Sequence, residues 1–126
     1  MIPLQLSSGV RQQSTKDVMK ASVFIATSLD GFIARSDGGL DWLPDGGGEP
    51  HGYNEFMATV DALVIGRKTF ETVLGFPEWP YGSKPVIVLS SSPATLEAPP
   101  GAICTCMTAT PAEVVDHLAA RGMAHL

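Results

Sequence analysis

The chain has 126 residues, 44% of them hydrophobic and 17% charged, with a formal net charge of −5. This length bounds it to a single domain. The acidic balance argues against non-specific nucleic-acid binding, no apolar run is long enough to span a bilayer, and the N-terminus lacks the apolar stretch of a signal peptide. Cys104 and Cys106 are the only cysteines. Two residues apart on one strand, they suit neither a disulfide nor a metal site, so they are read as small hydrophobes in a reducing, cytoplasmic setting.

Residues 1–20 are polar and aperiodic, and are expected to form a flexible leader, with the domain opening near Met19. Residues 22–28 (SVFIATS) are rich in β-branched and aromatic side chains, as a strand requires. Residues 29–34 continue extended or turn back. Residues 36–48 form a glycine-rich loop in which Trp42 and Leu43 are apolar anchors. Within 50–60, Tyr53, Phe56, Met57 and Val60 recur at helical spacing and predict a short helix.

Residues 61–70 read DALVIGRKTF. Ala62 to Ile65 form a short apolar run typical of a buried strand. Gly66 lets the backbone turn, and a helix is expected from about Thr69 to Leu74. A helix start carries unpaired N–H groups and the positive end of the helix dipole, which attract phosphate, and Arg67 and Lys68 add two cations there. The segment is neither the GxGxxG fingerprint nor a P-loop. Residues 76–84 connect to a third strand at 85–89 (PVIVL), which ends on a serine run. A fourth strand is expected at 102–108. Thr110-Pro111-Ala112-Glu113 then spells a capping box with proline at the first helical position, and Gly122 closes that helix. Residues 123–126 read as the first residues of another strand.

Strands alternating with helices imply crossover connections and a mainly parallel sheet. Ligands of such sheets bind beyond the carboxyl ends of the strands. Residues 28–34, Gly66 to Thr69, and Ser90 to Ser92 lie at such ends. Arg67 and Lys68 could hold a phosphate there, with Ser90 and Ser91 as further donors; the same residues would also suit a solvated helix start and a turn. Asp30 could orient a substrate or hold a proton, or shape an Asx turn with Gly31. Trp42 could lean over a ligand or staple its loop, and Phe56 stands at core spacing. His51, His117 and His125 show no metal-ligand spacing, so no metal is expected, and any redox chemistry would rest on a cofactor.

TSLDGFIA (27–34), GGLDWL (38–43), DALVIGRKTFE (61–71), WPYGSKPVIVLSSSP (79–93) and the closing helix, in that order and spacing, resemble the dihydrofolate reductase-like superfamily. The branch they resemble is the one related to the reductase domain of riboflavin-biosynthesis deaminase–reductases. The resemblance implies a three-layer α/β fold with a mainly parallel central sheet over 21–126. It also implies NADPH as hydride donor, and a small heterocyclic, pyrimidine- or pterin-type substrate akin to 5-amino-6-(5-phosphoribosylamino)uracil. By position, Ala26 and Ile33 would lie near the nicotinamide. Gly66, Arg67, Lys68 and Thr69 would take the phosphates, and Leu89, Ser90 and Ser91 would flank the adenosine 2′-phosphate. Asp30, Trp42 and Phe56 would face the substrate, with Asp30 the catalytic candidate.

The chain departs from the family pattern in two places. The stretch at 50–53 offers no acid to protonate a pterin. Family members also continue past the closing helix into further strands, so the fold is expected to lack C-terminal strands and to complete its sheet as a homodimer. The alternative function is a catalytically inactive relative serving as a binding or assembly module.

Overall fold

A computed structural model describes residues 2–6, 19–43, 52–92 and 97–126. The expected leader at 7–18, the loop tip at 44–48, and Pro50, His51 and Pro93 lie outside the described residues. The elements run β1 (Ile2–Leu6), β2 (Ala21–Ile25), α1 (Tyr53–Thr59), β3 (Leu63–Gly66), α2 (Arg67–Leu74), β4 (Pro85–Leu89), β5 (Ile103–Met107) and α3 (Pro111–Ala120). They build an α/β structure with a three-stranded parallel sheet, ordered β3-β4-β5, and a two-stranded antiparallel sheet, β1-β2.

β4 is the centre of the parallel sheet. Val86, Ile87 and Val88 are each at most 1% exposed. Burial on both faces explains why PVIVL is unbroken by a polar residue. Alternation then divides the core. Ile87, with Val64 and Leu89, faces Val114 and Leu118 of α3. Val86 and Val88, with Leu63 and Ile65, face Phe70 of α2 and the Trp79–Tyr81 connection. Phe70, Trp79 and Tyr81 meet edge to face at centroid separations of 6.2 and 5.1 Å. This geometry suits the ring quadrupoles. The Trp79 indole N–H is buried there with no hydrogen-bond partner among the described residues.

α3 forms as its sequence dictates. The Thr110 hydroxyl accepts from the Glu113 amide and the Glu113 carboxylate from the Thr110 amide. At the other end Gly122 takes φ +82°. Its N–H donates to the Ala119 carbonyl, and the Met123 N–H donates to the Leu118 carbonyl. This pair of bonds is the Schellman motif, and Met123 packs on the same cluster as Leu118. The turn directs Ala124 to Leu126 back along the sheet. There His125 forms a parallel bridge to Lys20.

The main departure from the sequence expectation is β1. Residues 2–6, expected to belong to a polar leader, pair antiparallel with β2 from Ile2 opposite Ile25 to Leu6 opposite Ala21. Pro3, which has no N–H, sits opposite Phe24. Ser22 turns its N–H away from β1, to Leu126. By period-two alternation Phe24 also points away, so the ladder needs no donor from Pro3. The other differences are boundary shifts: β2 ends at Ile25 rather than Ser28, and α2 begins at Arg67 rather than Thr69.

The two-sided burial of β4 sets an expected outcome. Ile87→Ala should cost about 2–5 kcal/mol, the range for large-to-small changes in a packed core. Ile103, 51% exposed on the edge strand β5, should tolerate alanine within about 0.5 kcal/mol. Urea denaturation of both variants checks the contrast; equal losses would mean the edge is as constrained as the centre.

Candidate functional site

The parallel register brings three strand ends level. Gly66 pairs with Leu89, and Leu89 with Met107. The next residues along each strand, Arg67, Ser90 and Thr108, therefore emerge side by side. The Ser90 N–H donates to the Met107 carbonyl at 3.1 Å, and the Thr108 hydroxyl donates to the Ser90 carbonyl at 2.7 Å. A shallow depression of about 460 Å³ opens here, lined by Leu89, Ser90, Ser91, Thr108 to Thr110 and Glu113.

Two helices start at this edge, and their N-termini differ. α3 is closed by its capping box, with Glu113 supplying negative charge in the first turn. α2 has Gly66 as its N-cap, no side-chain cap and no acid in its first turn. A Cβ placed on Gly66 would meet no described residue within 4 Å, so the approach to the α2 amides is open. Arg67 and Lys68 stand at this start. The Arg67 Nε donates to Glu71 one turn on, at 2.9 Å, on the exposed surface. Such a surface pair is weak and exchangeable. Gly66, Thr69 and Leu89 also line a larger cavity of about 590 Å³ bounded by β2, β3, α1 and α3. Phe56 lines it too, stacked on Phe24 at 5.0 Å. Two tyrosines reach the same cavity: burial pushes Tyr53 up to about 12 and raises Tyr81.

A third depression, of about 440 Å³, lies beyond β2 and is lined by Ser28, Asp30, Phe32, Arg35 and Trp42 among others. The Ser28 hydroxyl donates to Asp30, and the Phe32 N–H donates to the Ser28 hydroxyl. Arg35 binds Asp41, whose carboxyl is held below the usual carboxylate range by that hydrogen bond. The structure thus places Asp30 and Trp42 together. It places Gly66, Thr69, Leu89 and Phe56 in a second cavity, and Leu89, Ser90 and Ser91 at a third. Ala26, Ile33, Arg67 and Lys68 line none of the three; Ile33 is 61% exposed. Among the described residues no group of three or more His, Cys, Asp or Glu is placed to hold a metal ion. No described helix is long and apolar enough to cross a membrane. Cys104 and Cys106 are both free and half-buried on one face of β5.

The residues around Asp61 escaped the reading of the sequence. One Asp61 carboxylate oxygen accepts from the backbone amides of Ala124 and His125, at 2.8 and 3.0 Å. The Asp61 N–H donates to the His125 carbonyl. His125 Nδ1 lies 2.8 Å from the Thr59 carbonyl, which can only accept, so the proton sits on Nδ1. In the neutral ring Nε2 then accepts from the Ser22 hydroxyl, 2.8 Å away. One cue in the sequence was available: Asp61 is the acid directly before the apolar run of β3.

No protein-family model matches the chain. It is 45% identical over 76 residues to "Uncharacterized protein YwjB" of Bacillus subtilis (strain 168), a match covering 59% of this chain and 44% of that protein. It is similar, at 39% identity and a TM-score of 0.63, to the crystal structure of a "Putative riboflavin biosynthesis protein" from Shewanella sp. PV-4. That match covers 81% of this chain and 59% of the other. The chain therefore spans less than half of the first protein's length and less than two thirds of the second's.

The Asp61 clasp makes a pH-dependent prediction. The two backbone amides, Ala124 first, hold the Asp61 carboxyl below its ordinary value. A folded-state pKa below the unfolded one adds stability above the ordinary carboxylate value, about 3.9, and loses it as pH falls through the folded value. Asp61→Ala should therefore melt below the parent at neutral pH, and the two curves should converge in acid. Thermal melts across a pH series measure this; a constant gap down to the lowest pH would assign the loss to packing instead.

Proposed function

We propose that the chain is the NADPH-binding part of a dihydrofolate reductase-like reductase. Its substrate would be a small pyrimidine- or pterin-type heterocycle of the 5-amino-6-(5-phosphoribosylamino)uracil kind, in the chemistry of riboflavin biosynthesis. The observation that carries this reading is the contrast between the two helix starts. α2 is uncapped, free of first-turn acids and flanked by Arg67 and Lys68, at the same sheet edge where Ser90 and Ser91 emerge. That donor set fits a dinucleotide phosphate: open backbone amides, two cations, and glycine where the anion must come close. The hydroxyls of the depression at Ser90, Ser91 and Thr108 fit a ribose. The likeness to the Shewanella protein supports the riboflavin side of the proposal.

In this reading the bound cofactor supplies a hydride, and the protein supplies position and charge. Arg67 exchanges its Glu71 contact for phosphate, and Lys68 adds a second charge. Ala26 and Ile33, on the segment leaving β2, offer an apolar wall to the nicotinamide. Asp30, with one oxygen already accepting from Ser28, turns its second oxygen to the polar edge of the substrate and orients it. Trp42 covers the ring. Phe56 serves the site from behind, by keeping Phe24 and β2 in place. A cytoplasmic setting fits the two free cysteines, and a homodimer belongs to the same reading.

A second reading, a binding or assembly module without turnover, is favoured by one observation: the two sheets are separate, so the cleft between β2 and β3 is wide.

Fluorescence titration with NADPH and NADH, followed by turnover assays with the reduced cofactor, tests both readings. If Arg67 reads the 2′-phosphate, Arg67→Ala should weaken NADPH by about 1.5–3 kcal/mol, the worth of a hydrogen bond to a charged group, and NADH less; equal weakening of both would assign Arg67 to the phosphates the two cofactors share. Equal affinities in parent and variant would remove Arg67 from the site. Saturable binding without turnover would favour the module, and no binding by the parent would discard the reductase.

A further inference from the structure

The two helix starts at the carboxyl edge of the parallel sheet carry opposite charge. Arg67 and Lys68 open α2, whereas Glu113 stands in the first turn of α3. The depression of about 460 Å³ lies on the acidic side. Leu89, Ser90, Ser91 and Thr108 line it with Glu113, which is the one charged side chain among its described lining. The local sequence explains this bias. Residues 85–116 form β4, β5 and the start of α3; they contain Glu97, Glu113 and Asp116 but no Lys, Arg or His.

The hydrogen bonds within the depression add a second bias. The Ser90 hydroxyl donates to the Ser92 carbonyl at 2.9 Å and accepts from the Ser92 amide at 3.2 Å. The Thr108 hydroxyl donates to the Ser90 carbonyl at 2.7 Å. A hydroxyl has one proton to give, so both groups present only lone pairs to a ligand. A carboxylate is an acceptor alone. One Glu113 oxygen takes the Thr110 amide at 2.8 Å, which holds the side chain in place and leaves the other oxygen for solvent or a ligand. Acceptors of this kind suit a ligand that brings its own O–H or N–H groups. A phosphate brings acceptors and negative charge, and these three groups offer it neither a donor nor a cation.

We propose that Glu113 is a specificity-determining residue of the cofactor site. It accepts from a hydroxyl of an unphosphorylated ribose in this depression and disfavours a 2′-phosphate there. It therefore lowers the preference for NADPH over NADH that Arg67 supplies. The inference rests on the nucleotide reading above and deepens it. The sheet order places Arg67 after β3, Ser90 after β4 and Thr108 after β5. A nucleotide laid along this edge thus meets cations on one side of the serine turn and an acid on the other. The added phosphate of NADPH carries a charge of about −1.5 to −2 at neutral pH, so an acid beside it weakens binding, while NADH lacks that group and is spared.

The test is Glu113→Gln, which removes the charge but keeps an oxygen that can accept from the Thr110 amide. Fluorescence titrations at low ionic strength give Kd for NADPH and for NADH in parent and variant. The ratio of NADPH to NADH affinity should rise by about three- to tenfold, through tighter NADPH, and the gain should shrink in high salt. Glu113→Ala also loses the capping-box bond, so it should melt below the parent yet raise the ratio by a similar factor. Three results would each overturn the role of Glu113 while leaving the nucleotide reading in place. These are a ratio unmoved in Glu113→Gln, a shift in Glu113→Ala alone, and a gain that salt does not reduce. Failure of the parent to bind either dinucleotide would discard the nucleotide reading, and this inference with it.

Discussion

Three residues hold the two sheets of this molecule in register. Ala124, His125 and Leu126 bond to Lys20 and Ser22 on one side and to Asp61 on the other. The seam gives partners to the backbone groups it takes from water, and the Asp61 carboxylate adds charge-assisted bonds to two of the amides. The Schellman turn at Gly122 makes this geometry available, because it anchors Met123 on the α3 core and aims residues 124–126 along the sheet. The aromatic contact of Phe24 with Tyr53 and Phe56 then fixes β2 against α1. The position of β2, and of the Asp30 loop that leaves it, depends on this short seam.

The parallel sheet supplies the other half of the functional geometry. Its register puts two helix starts and a serine turn at one edge, and their local chemistry separates them. α3 has spent its first amides on Thr110 and Glu113, which gives a rigid, self-satisfied start. α2 has spent none on a side chain. Self-satisfaction stabilises the start of α3, whereas the first amides of α2 keep no side-chain partner. Glycine at the α2 cap adds neither a cap nor a Cβ at that start.

Much of this is legible in the sequence wherever a local rule and tertiary burial agree. β4 is legible to the residue because PVIVL is bounded by Lys84 and Ser90 and is buried on both faces. α3 is legible because capping box, proline and glycine all mark its ends. β2 extends too far forward in the sequence reading, since SVFIATS has strand propensity to its end but its ladder with β1 stops at Ile25. β1 escapes that reading although Ile2, Leu4 and Leu6 alternate; Pro3 and the polar residues after it hide a strand whose pairing partner is about 20 residues away. Of the residues named from strand-end position, Gly66 and Thr69 line one cavity and Ser90 and Ser91 another. The Asp61 clasp cannot be found from position. It depends on contacts between segments far apart in sequence, which leave no periodic trace.

That separation also bears on how the molecule assembles. The hydrogen bond between Ser22 and His125 joins residues 103 positions apart, whereas β3, α2 and β4 are near neighbours in the chain. Closing a loop costs entropy that grows with its length, and contacts of large sequence separation slow folding. The β3–α2–β4 unit can therefore collapse while β2 is still searching for its place. The seam joins segments more than a hundred residues apart, so its closure carries a larger entropic cost than that unit's. Until it closes, the edges of β2 and β3 are both bare, so the interval before closure is when the chain is most exposed to pairing with the wrong strand.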